Sequence, residues 1–322
     1  MAADHKPLTV CLCTHNPNRS RLCQALDAIA RQSLDPSLWD LIVVDNHSDP
    51  PLRDWVDLAA IPNACLLTEP KLGLTPARLR AIAEASGHWL VFFDDDNLPE
   101  TDYLEAALRI GRAYPFVGAF GGRCTGVFEN PPPKWAVPYL HHLALGDFGS
   151  TSCWEHHPGH YAPWHPSGAG LVLRAEAAQT YQRQLHAQPE RITLGRRGTA
   201  LSGSEDLDML QAVMDHGLAV GYFPELKLNH LVPLERLKLS YLSRLVFHTH
   251  YSAARLWILR RQSVPARRWP LDYLAGLGLQ LLSGHGHPLT WWLTVQAVRG
   301  RYAALRDGRP GGITGKVEHE RA

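Results

Sequence analysis

Three adjacent carboxylates, Asp94-Asp95-Asp96, follow directly on the apolar run Trp89-Leu90-Val91-Phe92-Phe93. That run reads as a buried strand, and ligands of open α/β sheets bind at the carboxyl ends of strands. Carboxylates this close repel one another and titrate as a coupled group. A divalent cation relieves the repulsion, and hard oxygen ligands suit Mg2+ or Mn2+. The same residues also suit an acidic helix start, with Asp96 or Asn97 capping a helix opened by Pro99-Glu100. The spacing alone leaves both readings open. A second acidic pair, Glu205-Asp206, follows Ser204 at the start of another helical pattern. Acids stabilise a first helical turn, and a carboxylate there can also take a proton from a reacting hydroxyl.

The elements that must position these groups alternate in type. Leu8–Leu12, Leu41–Val44, Ala64–Thr68 and Trp89–Phe93 read as strands. Arg19–Gln32, Arg53–Ala60, Leu74–Ala85 and Glu100–Tyr114 read as helices. Interleaving of this kind predicts a doubly wound, mainly parallel α/β sheet with helices on both faces. Its strand ends carry Thr14-His15-Asn16, Asp45-Asn46-His47-Ser48-Asp49 and the Asp cluster, which would converge on one crevice. No G-x-G-x-x-G follows the first strand and no G-x-x-x-x-G-K-[ST] occurs, so a nucleotide's phosphates would need a metal and cationic side chains.

Residues 130–167 are rich in Pro, His and Trp and show no sustained period. Beyond them lie a strand at Gly170–Leu173 and a helix from Ala175. A basic, glycine-containing segment, Arg191–Gly203, precedes a helix at Asp206–His216. Leu218–Phe223 and Leu226–His230 read as two strands, and Leu234 to Arg261 as a long helix. The tail from Asp307 to Ala322 is glycine-rich and charged, a disordered composition.

Composition narrows the function classes. Among 322 residues, 32 Lys plus Arg balance 31 Asp plus Glu, which argues against a nucleic-acid binder working by bulk charge. The six cysteines form no C-x-x-C pair, several lie in apolar segments, and they suit a reducing, cytoplasmic compartment. No apolar run approaches the roughly 20 residues that span a bilayer. Cys153-Trp154-Glu155-His156-His157-Pro158-Gly159-His160 holds zinc-type ligands, but its spacing matches no common zinc module. With Trp135 and Trp164 it reads better as an aromatic wall against a sugar or, equally, as hydrophobic packing. His248–Ser252 reads as a solvated helix face or a flap.

The order of motifs resembles the inverting family 2 glycosyltransferases of the GT-A fold. The chain shows Thr14-His15-Asn16, Val43-Val44-Asp45-Asn46-His47-Ser48-Asp49, Gly73-Leu74-Thr75-Pro76-Ala77-Arg78, Asp94-Asp95-Asp96, Glu205-Asp206 and His230, in that family's order. It departs at Asn46, often a second Asp in the family, and at Leu79, usually Asn. The resemblance implies transfer of a sugar, with inversion, from a nucleoside-diphosphate donor (UDP-, GDP- or dTDP-linked) to an acceptor hydroxyl, in polysaccharide or glycan synthesis. It implies Asp206 as base with Glu205 beside it on the acceptor side. Thr14, Asn16, Asp45, Asn46, Arg78, Asp94 and Asp95 would meet the nucleotide, and Asp96, Asp94 and His230 would hold Mg2+ or Mn2+.

The expected organisation is a nucleotide-sugar half at 1–125, an acceptor half at 126–235, a helical C-terminal region at 236–306 and the tail at 307–322. The acceptor would be a glycan or a lipid-linked sugar. The basic, aromatic stretch from Arg260 to Trp269, with Trp291-Trp292, would then either rest on the anionic inner membrane face or pack internally and leave a few surface charges. Two rivals remain. A nucleotidyltransferase normally needs a Gly-rich, cationic loop after strand one, where this chain has His15-Asn16-Pro17-Asn18-Arg19. A degraded Asp cluster or a missing Glu-Asp pair would favour a non-catalytic nucleotide or carbohydrate binder, and both are intact.

Overall fold

The computed structural model describes residues 6–260 and 288–307. Strands β1 (Leu8–Thr14), β2 (Trp39–Asp45), β3 (Ala64–Thr68) and β4 (Trp89–Phe93) lie parallel in the order β3-β2-β1-β4. Every residue of β1 and β4 is buried, which requires cover on both faces. Helices α1 (Arg19–Ala30) and α3 (Tyr103–Ala113) cover one face, and α2 (Leu74–Glu84) covers the other. The two-residue period of a strand sends Val10 and Leu12 into the first core and Cys11 and Cys13 into the second.

The second half widens this sheet with β5 (Asn97–Pro99), β6 (Val117–Phe128), β7 (Cys153–Glu155), β8 (Leu171–Arg174) and β9 (Ala219–Val232). The full order is β3-β2-β1-β4-β8-β6-β9-β5, with β7 added to β9. The sheet is parallel from β3 to β4 and mixed beyond. β8 runs antiparallel to β4 and β6, β6 parallel to β9, and β5 and β7 antiparallel to β9. Helices α4 (Ala175–Ala187) and α5 (Glu205–Asp215) join α2 over the second face. The expected helical C-terminal region is present as α6 (Leu239–Leu259) and α7 (Pro288–Asp307). Leu242, Val246, Leu293 and Ala297 of this pair share a third core with Val232.

Several boundaries differ from the sequence reading. Residues 53–60 form no helix beyond the 3-10 turn Leu52–Asp54. Pro50 and Pro51 precede that turn, the Asp45 carboxylate accepts the Leu52 N–H, and Trp55, Val56 and Leu58 pack on the first core from irregular backbone. The helix expected from Glu100 starts at Tyr103, because Asn97–Pro99 pairs with β9 and the Glu100 N–H donates to the Lys227 carbonyl. Asn97 is therefore a strand residue, and the capping reading of the Asp cluster falls. The two strands expected at 218–230 are one, β9. The long helix begins at Leu239, after Pro233 and the 3-10 turn Leu234–Leu237. The expected disorder of the tail concerns residues 308–322, outside the described residues.

Candidate active site

The carboxyl ends of β1 and β4 open into a cavity of about 700 Å3. Thr14, Asn16, Asn46, Arg78, Asp94, Asp95, Asp96, Glu205, Asp206 and His230 all line it. The sheet thus gathers ten residues spread over more than two hundred positions of sequence. Asp45 is the one sequence-predicted site residue that does not line the cavity.

The Asp cluster divides by contact. Asp94 is half-buried, and its backbone N–H donates to Asn97 Oδ1 at 3.0 Å. Asp95 accepts the Thr14 hydroxyl, which ties the end of β1 to the loop after β4. Burial and the neighbouring Asp96 charge push the Asp95 carboxyl up to about 6, against that hydrogen bond. Asp96 is buried and meets two basic groups. His230 Nε2 lies 3.2 Å from Oδ1 and Arg236 Nη2 lies 2.8 Å from Oδ2. Burial alone would raise its pKa; the hydrogen bond from His230 and the charges of His230 and Arg236 hold it well below the usual carboxylate range.

Glu205 and Asp206 begin α5. Arg78, whose side chain is 3% exposed, donates to Glu205 Oε1 at 3.1 Å and approaches Asp94 at 3.6 Å. One guanidinium therefore joins the two acidic groups. Both Asp206 oxygens are held by backbone donors, Oδ1 by Leu207 N–H at 2.7 Å and Oδ2 by Gly168 N–H at 3.0 Å. Burial raises the pKa of both carboxyls; Arg78 opposes the rise in each. Glu205 Oε2 is buried with no hydrogen-bond partner among the described residues. A Cβ at Gly168 would sit 2.4 Å from Arg78 Nη2, so a side chain there would have to displace the guanidinium that holds Glu205.

Residues 9–166 match the sequence profile of glycosyl transferase family 2. The chain is also similar to the succinoglycan biosynthesis protein ExoM of Rhizobium meliloti (strain 1021), at 25% identity over 250 residues, covering 76% of this chain and 73% of that protein. The matched segment, residues 9–166, is a glycosyl transferase family 2 domain. Among solved structures, S. aureus TarS gives a TM-score of 0.47 at 12% identity over 93% of this chain, which spans 55% of the TarS chain. TarS 1-349 in complex with UDP gives 0.47 at 13% identity, covering 93% of this chain and 90% of that one.

In this glycosyltransferase the loops around the second strand end act as scaffold. The buried Asp45 carboxylate accepts the N–H groups of Ser48 at 3.0 Å and Leu52 at 2.9 Å. Asn16 Oδ1 accepts the Asp49 N–H at 2.8 Å, and the Asn16 N–H donates to Ser48 Oγ at 3.0 Å. Asn46 Oδ1 accepts the Gly73 N–H at 2.7 Å while its Nδ2 donates to the Glu69 and Lys71 carbonyls. A carboxylate cannot make those two donations, which accounts for the departure from a second Asp here.

Other expectations meet different surroundings. Trp135 and Trp164 do not line the cavity; Tyr161 and Trp257 do, with His141, His142 and His250. Trp135 packs on the third core, and Trp164 stacks edge-on against His165. In the Cys/His segment, Glu155 Oε1 takes His160 Nδ1 at 2.7 Å and His165 Nε2 at 2.9 Å, His156 bonds the Met214 carbonyl, and Cys153 is a free thiol. His156 and His160 are thus engaged within the protein, and among the described residues no three such side chains form a ready-made metal centre. His248–Ser252 is an interior stretch of α6 rather than a flap, with Ser252 Oγ at 2.9 Å from Ser204 Oγ. Arg260, expected on a basic surface, is 6% exposed and paired with Asp208 and Asp215. The stretch 261–269 lies outside the described residues, and among those described no helix is long and apolar enough to cross a membrane. Arg236 was not legible from sequence: it follows His230 by a 3-10 turn and belongs to no motif. Nor was Gly168 as a donor to Asp206, since only the fold brings them together.

Proposed function

We propose that the chain transfers a sugar, with inversion, from a nucleoside-diphosphate donor to an acceptor hydroxyl, and that a divalent cation assists. The observation that carries this is the Arg78 bridge, which sets a proton-accepting pair and a metal-type acidic cluster on two sides of one cation in one cavity. Asp206 takes the acceptor hydroxyl proton while the new O–C bond forms at the anomeric carbon and the bond to the diphosphate breaks. The two N–H donors fix its orientation, and its raised pKa suits a base working near neutral pH. The unpartnered Glu205 Oε2 is available to an acceptor hydroxyl. Thr14, Asn16 and Asn46, which line the cavity, would meet the nucleoside, and Asp45 would act there through the loop it holds.

The residues suit a divalent cation. Asp96, Asp94 and the His230 imidazole would hold it, and an arginine already sits on Asp96 as a cationic stand-in. Mg2+-type sites commonly need only one or two protein carboxylates, because substrate phosphates and waters complete them. When bound, the ion neutralises charge on the leaving diphosphate. The named role of the Rhizobium relative supports polysaccharide assembly as the setting, with a glycan or lipid-linked acceptor. Six unpaired cysteines support a reducing, cytoplasmic location.

Calorimetric titration with UDP, GDP and dTDP, each with and without Mn2+, tests the reading. Metal-dependent binding of one of them is expected, and no binding of any of the three overturns it. The anomeric configuration of the product, read by NMR, tests inversion.

A further inference from the structure

Asp96, His230 and Arg236 meet on the floor of the cavity with a conflict at one atom. His230 Nε2 lies 3.0 Å from Arg236 Nη1 and 3.2 Å from Asp96 Oδ1. The guanidinium can only donate and the carboxylate can only accept. If Nε2 carries a proton it serves Asp96 and faces the Arg236 N–H. If Nε2 is bare it accepts from Arg236 and turns its lone pair toward the Asp96 oxygen. In that second tautomer the proton sits on Nδ1, which is buried and has no partner among the described residues. Neither tautomer satisfies all three side chains.

A compact cation in place of the guanidinium would end the conflict, since a bare Nε2 and a carboxylate oxygen are both ligands. Arg236 is also the member able to leave. Its side chain is 19% exposed, against 3% for Asp96 and 5% for His230, and it is carried by the 3-10 turn Leu234–Leu237. We propose that Arg236 is a resident cation at the metal position: it leaves Asp96 and His230 when a divalent ion and the donor bind, and its freed guanidinium grips the donor diphosphate. The inference rests on the metal-dependent reading above and adds an exchange of cations to it. Arginine suits the second task, because its planar fork matches phosphate oxygens. Metal and nucleotide then tighten each other's binding, since each removes a competitor or supplies a partner.

The test is Mn2+ binding to the full chain, followed by electron paramagnetic resonance, with and without UDP, GDP or dTDP. Wild-type protein is expected to bind Mn2+ weakly alone and more tightly with the nucleotide that it accepts. Arg236→Gln should tighten Mn2+ binding in the absence of nucleotide by about tenfold and shrink the metal–nucleotide coupling. Arg196→Gln removes another cation of the same cavity that bonds neither Asp96 nor His230, and controls for loss of charge alone. If Arg236→Gln binds Mn2+ no more tightly than Arg196→Gln, the exchange is wrong while the metal reading stands. If wild-type protein binds no Mn2+ under any condition, both fall. A wild-type measurement avoids dependence on variant folding: the 15N signals of the Arg236 guanidinium should shift when Mg2+ and nucleotide are added together, and unchanged signals overturn the exchange.

Discussion

Arg78 lies between Glu205 and Asp94, at 3.1 and 3.6 Å, with its side chain almost wholly out of water. Removing one member of a buried charge cluster leaves the others uncompensated, so Arg78→Met should cost about 3–5 kcal/mol in chemical denaturation. Arg78→Lys should recover little, because an ammonium cannot fork between two carboxylates. A loss below about 1 kcal/mol for Arg78→Met would show that the bridge does not hold the site. Asp206→Asn addresses chemistry instead. Its turnover should fall by about 10²–10⁴-fold with nucleotide binding retained in calorimetry. Because burial raises the Asp206 pKa, the wild-type rate should be lost as pH falls through a value above the ordinary carboxylate range. Unchanged turnover in the variant would remove Asp206 as the base. Both residues were legible in the sequence, since Gly-x-x-x-Ala-Arg and Glu-Asp are local patterns. What they touch within the protein was not: Arg78, which lines the cavity as expected, also holds Glu205 at 3.1 Å and lies 3.6 Å from Asp94. Asp45 shows the same limit, because an Asx turn and a ligand contact demand the same residue type in the same place.

Elements were legible where one period ran uninterrupted. β1, β2, β3 and β4 each read as apolar runs; parallel strands covered on both faces, as β1, β2 and β4 are, have that signature, while β3 carries it at the partly covered sheet edge. β6 escaped because Gly118, Gly121, Gly122 and Gly126 dilute it, although it pairs with β9 along its length. The 53–60 segment misled in the opposite sense, since Trp55, Val56 and Leu58 meet the core without a helix. At the C-terminal pair the packing depends on small residues. Ala297, Gly300 and Ala304 of α7 are buried, and a Cβ at Gly300 would lie 2.2 Å from the Phe247 carbonyl of α6. Gly300→Leu should therefore force the helices apart and cost about 1–3 kcal/mol, seen as a lowered melting temperature. The pair should also be acid-sensitive. Burial lowers the His250 pKa to about 3, helped by Arg301, whose Nε donates to His250 Nδ1 at 3.2 Å. Its unfolded-state value is about 6.5. Between those values the unfolded chain takes up the proton first, so stability is lost as pH falls from about 6.5 toward 3. His250→Gln should flatten the melting temperature over that window; an unchanged slope would exclude His250 as its source.

At the scale of the molecule, the α/β body and the C-terminal helices are joined by buried charge as well as by the third core. Asp208, with no exposed surface, accepts Arg191 through Nε at 3.0 Å and Nη2 at 2.5 Å. It also accepts Arg260 Nε at 2.6 Å, and Arg260 Nη1 reaches Asp215 at 2.8 Å. Arg191 belongs to the 3-10 turn Pro189–Leu194, Asp208 to α5 and Arg260 to the end of α6. One carboxylate thus fastens three segments two residues beyond Asp206. The same α6 lends Thr249, His250 and Trp257 to the cavity, and its Ser252 bonds Ser204 beside Glu205. Asp208→Leu leaves the buried Arg191 guanidinium without its carboxylate and Arg260 with the Asp215 carboxylate alone, and should cost about 3–5 kcal/mol. Replacing the whole network, Asp208→Leu with Arg191→Met and Arg260→Met, should recover part of that loss, because apolar groups of similar volume tolerate the site that lone charges do not. Activity separates this tie from ordinary packing. If the network positions α6 against the base, the triple variant should regain melting temperature yet keep a reduced kcat, since its apolar contacts do not fix the angle at which Ser252 meets Ser204. A triple variant with both stability and kcat restored would mean that the charges fasten the molecule without setting the geometry of its site.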